Sequence, residues 1–402
     1  MTRPFDVASV REHFPALSDG TSFFDGPGGS QTPVAVADAI RDALLSPLAN
    51  RGTTTTAARN AEEIVVRCRA ALGDLLNADP GEVIFGRSMT ALTFALSRTL
   101  SAQWSEGDEI VVTRLDHDAN VRPWVTAATA VGAVVRWVEF DPATGELPLA
   151  NVEAQLSERT RLVAVTAASN LIGTMPDVRA IASLTRAAGA LLYVDGVHHT
   201  AHSAVDFADL GADFFACSPY KFLGPHCGVL AGRRELLETL RPDKLLPAPD
   251  RVPERFELGT LPYELMAGTT AAVAFLAGMT EHSGSRRGRL VAGMSALEQH
   301  EDRLRQRIED GLHQLPGVTV HSRAGRRTPT LLVTFAEHEA ATISTLLARH
   351  DINAPAGSFY AYEPARLLGL GEAGGLRIGL APYNNDEDVD RLLGTLAGAL
   401  RR

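Results

Sequence analysis

Cysteine is scarce: the 402 residues hold three, Cys68, Cys217 and Cys227. So few thiols, set in apolar stretches, build neither a disulfide framework nor a thiolate zinc cage, and they suit a reducing cytoplasm as buried side chains. Long blocks of lysine or arginine are missing, and the formal net charge is −10. That balance offers no electrostatic footprint for nucleic acid or an anionic membrane. The opening "MTRPFDVASVREHFPAL" lacks the apolar centre of a secretory signal, and no uninterrupted apolar run reaches the length of a bilayer span. Internal repeats and low-complexity linkers are absent too, although "TTTT" at 53–56 reads as a loop. These absences point to a globular cytoplasmic protein whose partner is a small molecule.

What is present is length and apolar pattern. A chain of this size with 45% hydrophobic residues exceeds one ordinary domain, so two are expected. "EIVVT" (109–113), "VVRWVEF" (134–140), "RLVAVTAAS" (161–169), "LLYVDGV" (191–197), "FFACS" (214–218) and "GVLAG" (228–232) read as strands covered on both faces. "AIASLTRAAGA" (180–190) carries helical spacing between two of them, which is βαβ order and predicts an α/β domain. Past about residue 265 the pattern changes to a long helix rich in Arg and Glu (286–313), then "PTLLVTF" (329–335), a helix, "GLRIGL" (375–380) and a last amphipathic helix. The expected organisation is an N-terminal segment (1–20) packed on the small domain, a large domain over 21–264 and a small α+β domain over 265–402.

One segment, "VDGVHHTAHSAVDFADLGADFFACSPYKFLGPHCGVL" (194–230), carries more polar chemistry than a strand pair requires. If Asp195 ends one strand and Lys221 follows the next, both face the end of the sheet where open α/β folds bind ligands. A lysine amine, a carboxylate and nearby phosphate donors are what pyridoxal phosphate needs: an imine partner, a group that keeps the ring nitrogen protonated, and an anion cradle. Ser218 and Tyr220 flank Lys221 as hydrogen-bonding groups, and the Gly224–Pro225 turn allows close backbone approach. In "FGRSMTALTFALSRTL" (85–100) a strand end gives way to a helix start, so that Met89, Thr90 and Ala91 present backbone N–H groups to a phosphate.

Together these blocks resemble the class V aminotransferase superfamily, and within it the cysteine-desulfurase-like proteins. The resemblance runs through nearly the whole chain: "FFDGPGGSQTP", "ANRG", "LDHDANVRPW", "ASNLIGT", "VDGVHHTAH", "CSPYKFLGP", "RFELGT" and "LRIGLAPYN" occur in the family's order. It implies a fold-type I α/β architecture, with a mainly parallel seven-stranded sheet in the large domain, and a homodimer whose active sites draw on both subunits. It implies Lys221 as the imine-forming lysine, Asp195 as partner of the pyridine nitrogen and His117 as the residue stacked on the ring. Asn170 is implied near the phenolic oxygen and substrate carboxylate, Thr90 and Ser218 at the phosphate, Thr260 at the phosphate of the neighbouring subunit, and Arg377 at the substrate carboxylate. His199 and His202 read as supporting polar residues.

The departures bear on the reaction. His198 stands where many desulfurases have glutamine, and Tyr220 where they have histidine; both keep hydrogen-bonding capacity toward the cofactor. The region where desulfurases carry a sulfur-accepting cysteine, here "DINAPAGSFYAYEPARLLGL" (351–370), has none. Persulfide chemistry is therefore disfavoured, and carbon–sulfur β-elimination from a cysteine conjugate is expected, with space lined by Ser358, Phe359 and Tyr360 for a bulky group on sulfur. Decarboxylating oxidative deamination, aminotransfer and epimerisation share the same first steps. A catalytically silent binding protein is the alternative of another class, and the intact Lys221, Asp195 and Arg377 argue against it.

Overall fold

The computed structural model describes residues 5–401. Its large sheet contains β1 (Val83–Gly86), β2 (Glu109–Thr113), β3 (Val134–Val138), β4 (Thr160–Thr166), β5 (Leu191–Asp195), β6 (Phe214–Cys217) and β7 (Gly228–Gly232), ordered β1-β7-β6-β5-β4-β2-β3. Pairing is parallel from β3 through β2, β4 and β5 to β6, and β7 runs against both of its neighbours. The expected mainly parallel seven-stranded sheet is found. β2, β6 and β7 are buried along their whole length, in keeping with their unbroken apolar runs, whereas β3 lies at the edge and alternates exposed with half-buried residues.

Helices cover both faces of this sheet. Val178–Ala187 links β4 to β5 and buries Val178, Ile181, Ala182 and Thr185, a stripe at helical spacing. The 53–56 stretch is not wholly loop: Thr56 begins the helix Thr56–Leu76, and the Thr55 hydroxyl caps it by accepting the Ala58 N–H at 3.1 Å.

A second, antiparallel sheet combines β8 (Val318–Val320), β9 (Thr330–Phe335), β10 (Ala356–Gly357) and β11 (Gly375–Gly379) in the order β10-β11-β9-β8. Its core joins Leu331, Val333 and Ile378 to Leu304 and Ile308 of helix Arg286–His313 and to Leu392 and Leu396 of helix Asp386–Ala399. The change of pattern near 265 falls in helix Tyr263–Gly278, yet Met266, Val273 and Leu276 of that helix, with Leu290, Met294 and Leu297 of the next, belong to the larger core. The two cores thus part within helix Arg286–His313. Of the N-terminal segment, residues 1–4 lie outside the described residues; Val10 and Phe14 join the larger core, while Arg11 Nη1 donates to Asp388 Oδ2 at 2.9 Å.

The ends of the chain close over the mouth of the sheet. Ser22–Phe23 pairs with Ile352–Asn353, and Asp25 bridges Gly379. This places the Gly26–Gly28 turn between β11 and the C-terminal ends of the parallel strands.

Candidate active site

Parallel strands deliver their following loops to one edge. Residues after β2 (His117), β4 (Asn170), β5 (His198) and β6 (Ser218, Tyr220, Lys221) line a single cavity of about 310 Å³, with Asp195 at the last position of β5. The cavity also takes Met89 and Thr90 from the helix after β1, Arg377 from β11, and Phe359 and Tyr360 from the segment after β10.

Lys221 ends a tight turn, Pro219–Lys221, and its Nζ donates to the Pro27 carbonyl. Burial, reinforced by the Arg377 charge, lowers its pKa to about 7, against the opposing pull of Asp195 and Asp25. A large share of the amine, about half, is therefore neutral near pH 7. Asp195 is 5% exposed and accepts the Val197 N–H at 2.9 Å; burial raises its carboxyl to about 6, opposed by that bond and by Lys221. His117 Nδ1 accepts the Ala119 N–H at 3.0 Å, and burial lowers its pKa to about 4, so the ring is neutral with its proton on Nε2.

Phosphate donors sit at the start of helix Met89–Ser101. Ser88 caps this helix: its carbonyl accepts the Leu92 N–H and its hydroxyl the Ala91 N–H. Ala91 is thus committed to the cap and does not line the cavity, which leaves Met89 and Thr90 as the open donors. Gly228 makes this approach possible, since a Cβ there would lie 2.2 Å from Ser88 C and 2.4 Å from Met89 N. Ser218 lines the same cavity, and the Tyr220 ring stacks on His226 at 4.7 Å.

Asn170 offers Oδ1 without a partner, while its Nδ2 donates to Phe359 O at 2.9 Å. His198 Nε2 lies 2.9 Å from the hydroxyls of both Thr328 and Thr330, and its Nδ1 is unpartnered; burial depresses its pKa. His199 and His202 are drawn away from the cavity, His202 Nδ1 lying 2.8 Å from Glu301. Ser358 lines an outer groove of about 840 Å³ that shares Phe359 and Tyr360 with the cavity. Thr260 is exposed and lies apart from the cavity of its own chain.

Sequence reasoning assigned no role to Asp25, Pro27, Gly28, Asp116 or Thr166. Asp25 Oδ1 has no partner, and its carboxyl, raised by burial, faces the charges of Lys221 and Arg377. The "FFDGPGGSQTP" block was the available signal for the first three. Asp116 lies in the buried layer beside Asp195, held by Thr113 and Asn120 and raised by burial to about 8.

This donor set fits pyridoxal phosphate. A depressed buried amine, a buried carboxylate on the adjoining strand, an open helix start kept clear by Gly228, and unpartnered polar atoms at Asn170, His198 and Arg377 surround a chamber of small-molecule size.

The profile of the family described as Aminotransferase class-V matches residues 22–392. An uncharacterized Mycobacterium tuberculosis protein is 33% identical over 98% of this chain and 99% of its own length. A probable cysteine desulfurase of Mycobacterium leprae is 30% identical over 99% of this chain and 97% of its own. Among solved structures, the cysteine desulfurase CsdA of Escherichia coli superposes with a TM-score of 0.87 at 28% identity, covering 99% of each chain.

Proposed function

The chain belongs to the class V aminotransferase family of pyridoxal-phosphate-dependent enzymes, and from that premise we propose that it catalyses carbon–sulfur β-elimination from a cysteine S-conjugate. The cofactor, when bound, supplies an aldehyde that condenses with amines and a ring that takes up the electron pair of a broken Cα bond.

The chain's own groups would do the rest. Asp195, on the strand beside Lys221, holds charge against the ring nitrogen, and the open N–H groups of Met89 and Thr90, with Ser218, hold the phosphate. His117, lining the cavity, would present its neutral ring to the cofactor. Arg377 would grip the substrate carboxylate and so fix the orientation of the bonds at Cα. Lys221 Nζ, whose pKa burial brings down to about 7, would take the Cα proton. The Cβ–S bond then breaks with its electron pair on sulfur. The substrate and one water leave as thiol, pyruvate and ammonia, with no net oxidation.

The observation carrying this reading is the placing of the thiols. Cys68, Cys217 and Cys227 are 0%, 0% and 2% exposed, none lines the cavity or the groove, and burial raises all three thiols, Cys227 to about 12. A protonated, enclosed thiol does not attack a substrate sulfur. A leaving thiolate needs no such attacker, and the groove beyond Phe359 and Tyr360 gives its substituent room.

The test is a screen of amino acids and cysteine S-conjugates on the holoenzyme, scored separately for pyruvate, thiol, ammonia and carbon dioxide. Equal pyruvate and thiol from a conjugate is the expected result. The variant with all three cysteines changed to alanine should turn over at a similar rate once fold and cofactor content are verified. A single essential cysteine with a protein-bound persulfide overturns the reading in favour of desulfuration.

A further inference from the structure

Arg377 enters the cavity with only part of its guanidinium committed. Nη1 donates to the Asn170 carbonyl at 3.1 Å, Nε has no partner, and Nη2 lies beside Gly28, where a Cβ would stand 3.3 Å away. The free Nε–Nη2 edge is one of the edges with which a guanidinium takes a carboxylate through two parallel hydrogen bonds. One flat face is already occupied: the Phe359 ring centroid lies 3.6 Å from the Arg377 Cζ.

Phe359 reaches that position through an unusual turn. Phe359 and Tyr360 both have positive φ, 54° and 58°, a conformation unfavourable to residues bearing a Cβ and found where surrounding contacts impose it. Two backbone acceptors hold it: Phe359 O takes the Asn170 Nδ2 proton at 2.9 Å, and Tyr360 O the Asp118 N–H at 2.8 Å. Asn170 therefore ties the turn with its side chain and the guanidinium with its carbonyl.

We propose that Phe359 is a positioning residue for the substrate carboxylate: its ring holds the Arg377 guanidinium in one plane, with the Nε–Nη2 edge turned to the space left open by Gly28. The inference rests on the reading that Arg377 receives the carboxylate. An arginine swings freely about its aliphatic stem, and a stacked ring removes that freedom before substrate arrives while leaving every in-plane N–H available. The role is distinct from shaping room for the sulfur substituent, because it acts through the Arg377 guanidinium on which the ring is stacked.

The experiment titrates holoenzyme with S-methyl-L-cysteine and with 2-(methylthio)ethylamine, which lacks only the carboxylate, and follows the cofactor absorbance. Phe359→Leu should raise the apparent Kd for the amino acid about tenfold and that for the amine by much less, and Phe359→Tyr should keep the wild-type values. Phe359→Met serves in place of leucine if the first variant fails to load cofactor. Equal weakening of both probes, or no weakening of the amino acid, overturns the proposal. Arg377→Gln separates the two levels: if it too leaves amino-acid binding unchanged, the assignment of Arg377 falls, whereas an effect at Arg377 without one at Phe359 defeats only this inference.

Discussion

At Lys221, burial and the Arg377 charge act in the same direction, and both favour the neutral amine. In cofactor-free protein, the rate of covalent capture of added pyridoxal phosphate should rise as the pH passes through about 7 and level off above it. A free lysine would show that rise some three units higher. Stopped-flow absorbance over a pH series checks this. Arg377→Gln removes a cation that disfavours protonation, so the midpoint should move upward; a downward shift would contradict the electrostatic account. Lys221→Ala should abolish the reducible covalent adduct with little change in fold, since the amine meets the Pro27 carbonyl, the Tyr220 ring face and a cavity. Asp195→Ala should retain some cofactor while turnover falls by about 100-fold, measured on any substrate found active.

At the scale of elements, the site depends on how closely β7 approaches the start of helix Met89–Ser101. Gly228 and Gly86 face each other across the β1–β7 pairing, and the Ser88–Met89 backbone lies where a side chain at 228 would go. Gly228→Ala should displace that helix start, destabilise the fold by about 1–3 kcal/mol and weaken pyridoxal phosphate binding. Differential scanning calorimetry and a cofactor titration read the two effects. Unaltered cofactor affinity would show that these N–H groups do not hold the phosphate.

For the whole molecule, the resemblance implied a dimer with shared sites, and Thr260 is the residue on which that proposal can be examined. It is exposed, and Leu258, two positions before it, is 63% exposed. We propose that this surface meets a second copy and that Thr260 serves the partner's phosphate site. Mixing Lys221→Ala with Thr260→Asp protomers should then regain up to half the wild-type activity per mixed dimer, because one of its two sites carries neither change. No regain, or a monomer by light scattering, would exclude the arrangement. The amino-acid sequence by itself determined six strands of the large sheet and the α/β order, and it placed Asp195, Ser218 and Lys221 at strand ends through local apolar runs; the parallel seven-stranded sheet and the places of His117 and Asn170 came from the family resemblance of its short motifs. It also determined that residues 351–370 carry no thiol. Only the tertiary structure decided that Asp25, Pro27 and Gly28 join the site, that Ala91 is withheld from it by the Ser88 cap, and that Phe359 lies on Arg377. The first comes from bringing distant segments together, as in the Asp25–Gly379 bridge and the Lys221–Pro27 contact, the second from the side-chain geometry of a helix cap, and the third from a left-handed turn at two residues whose side chains do not favour it. Hydrophobic periodicity reports which face of an element is buried. It is silent on which distant backbone comes to rest against it.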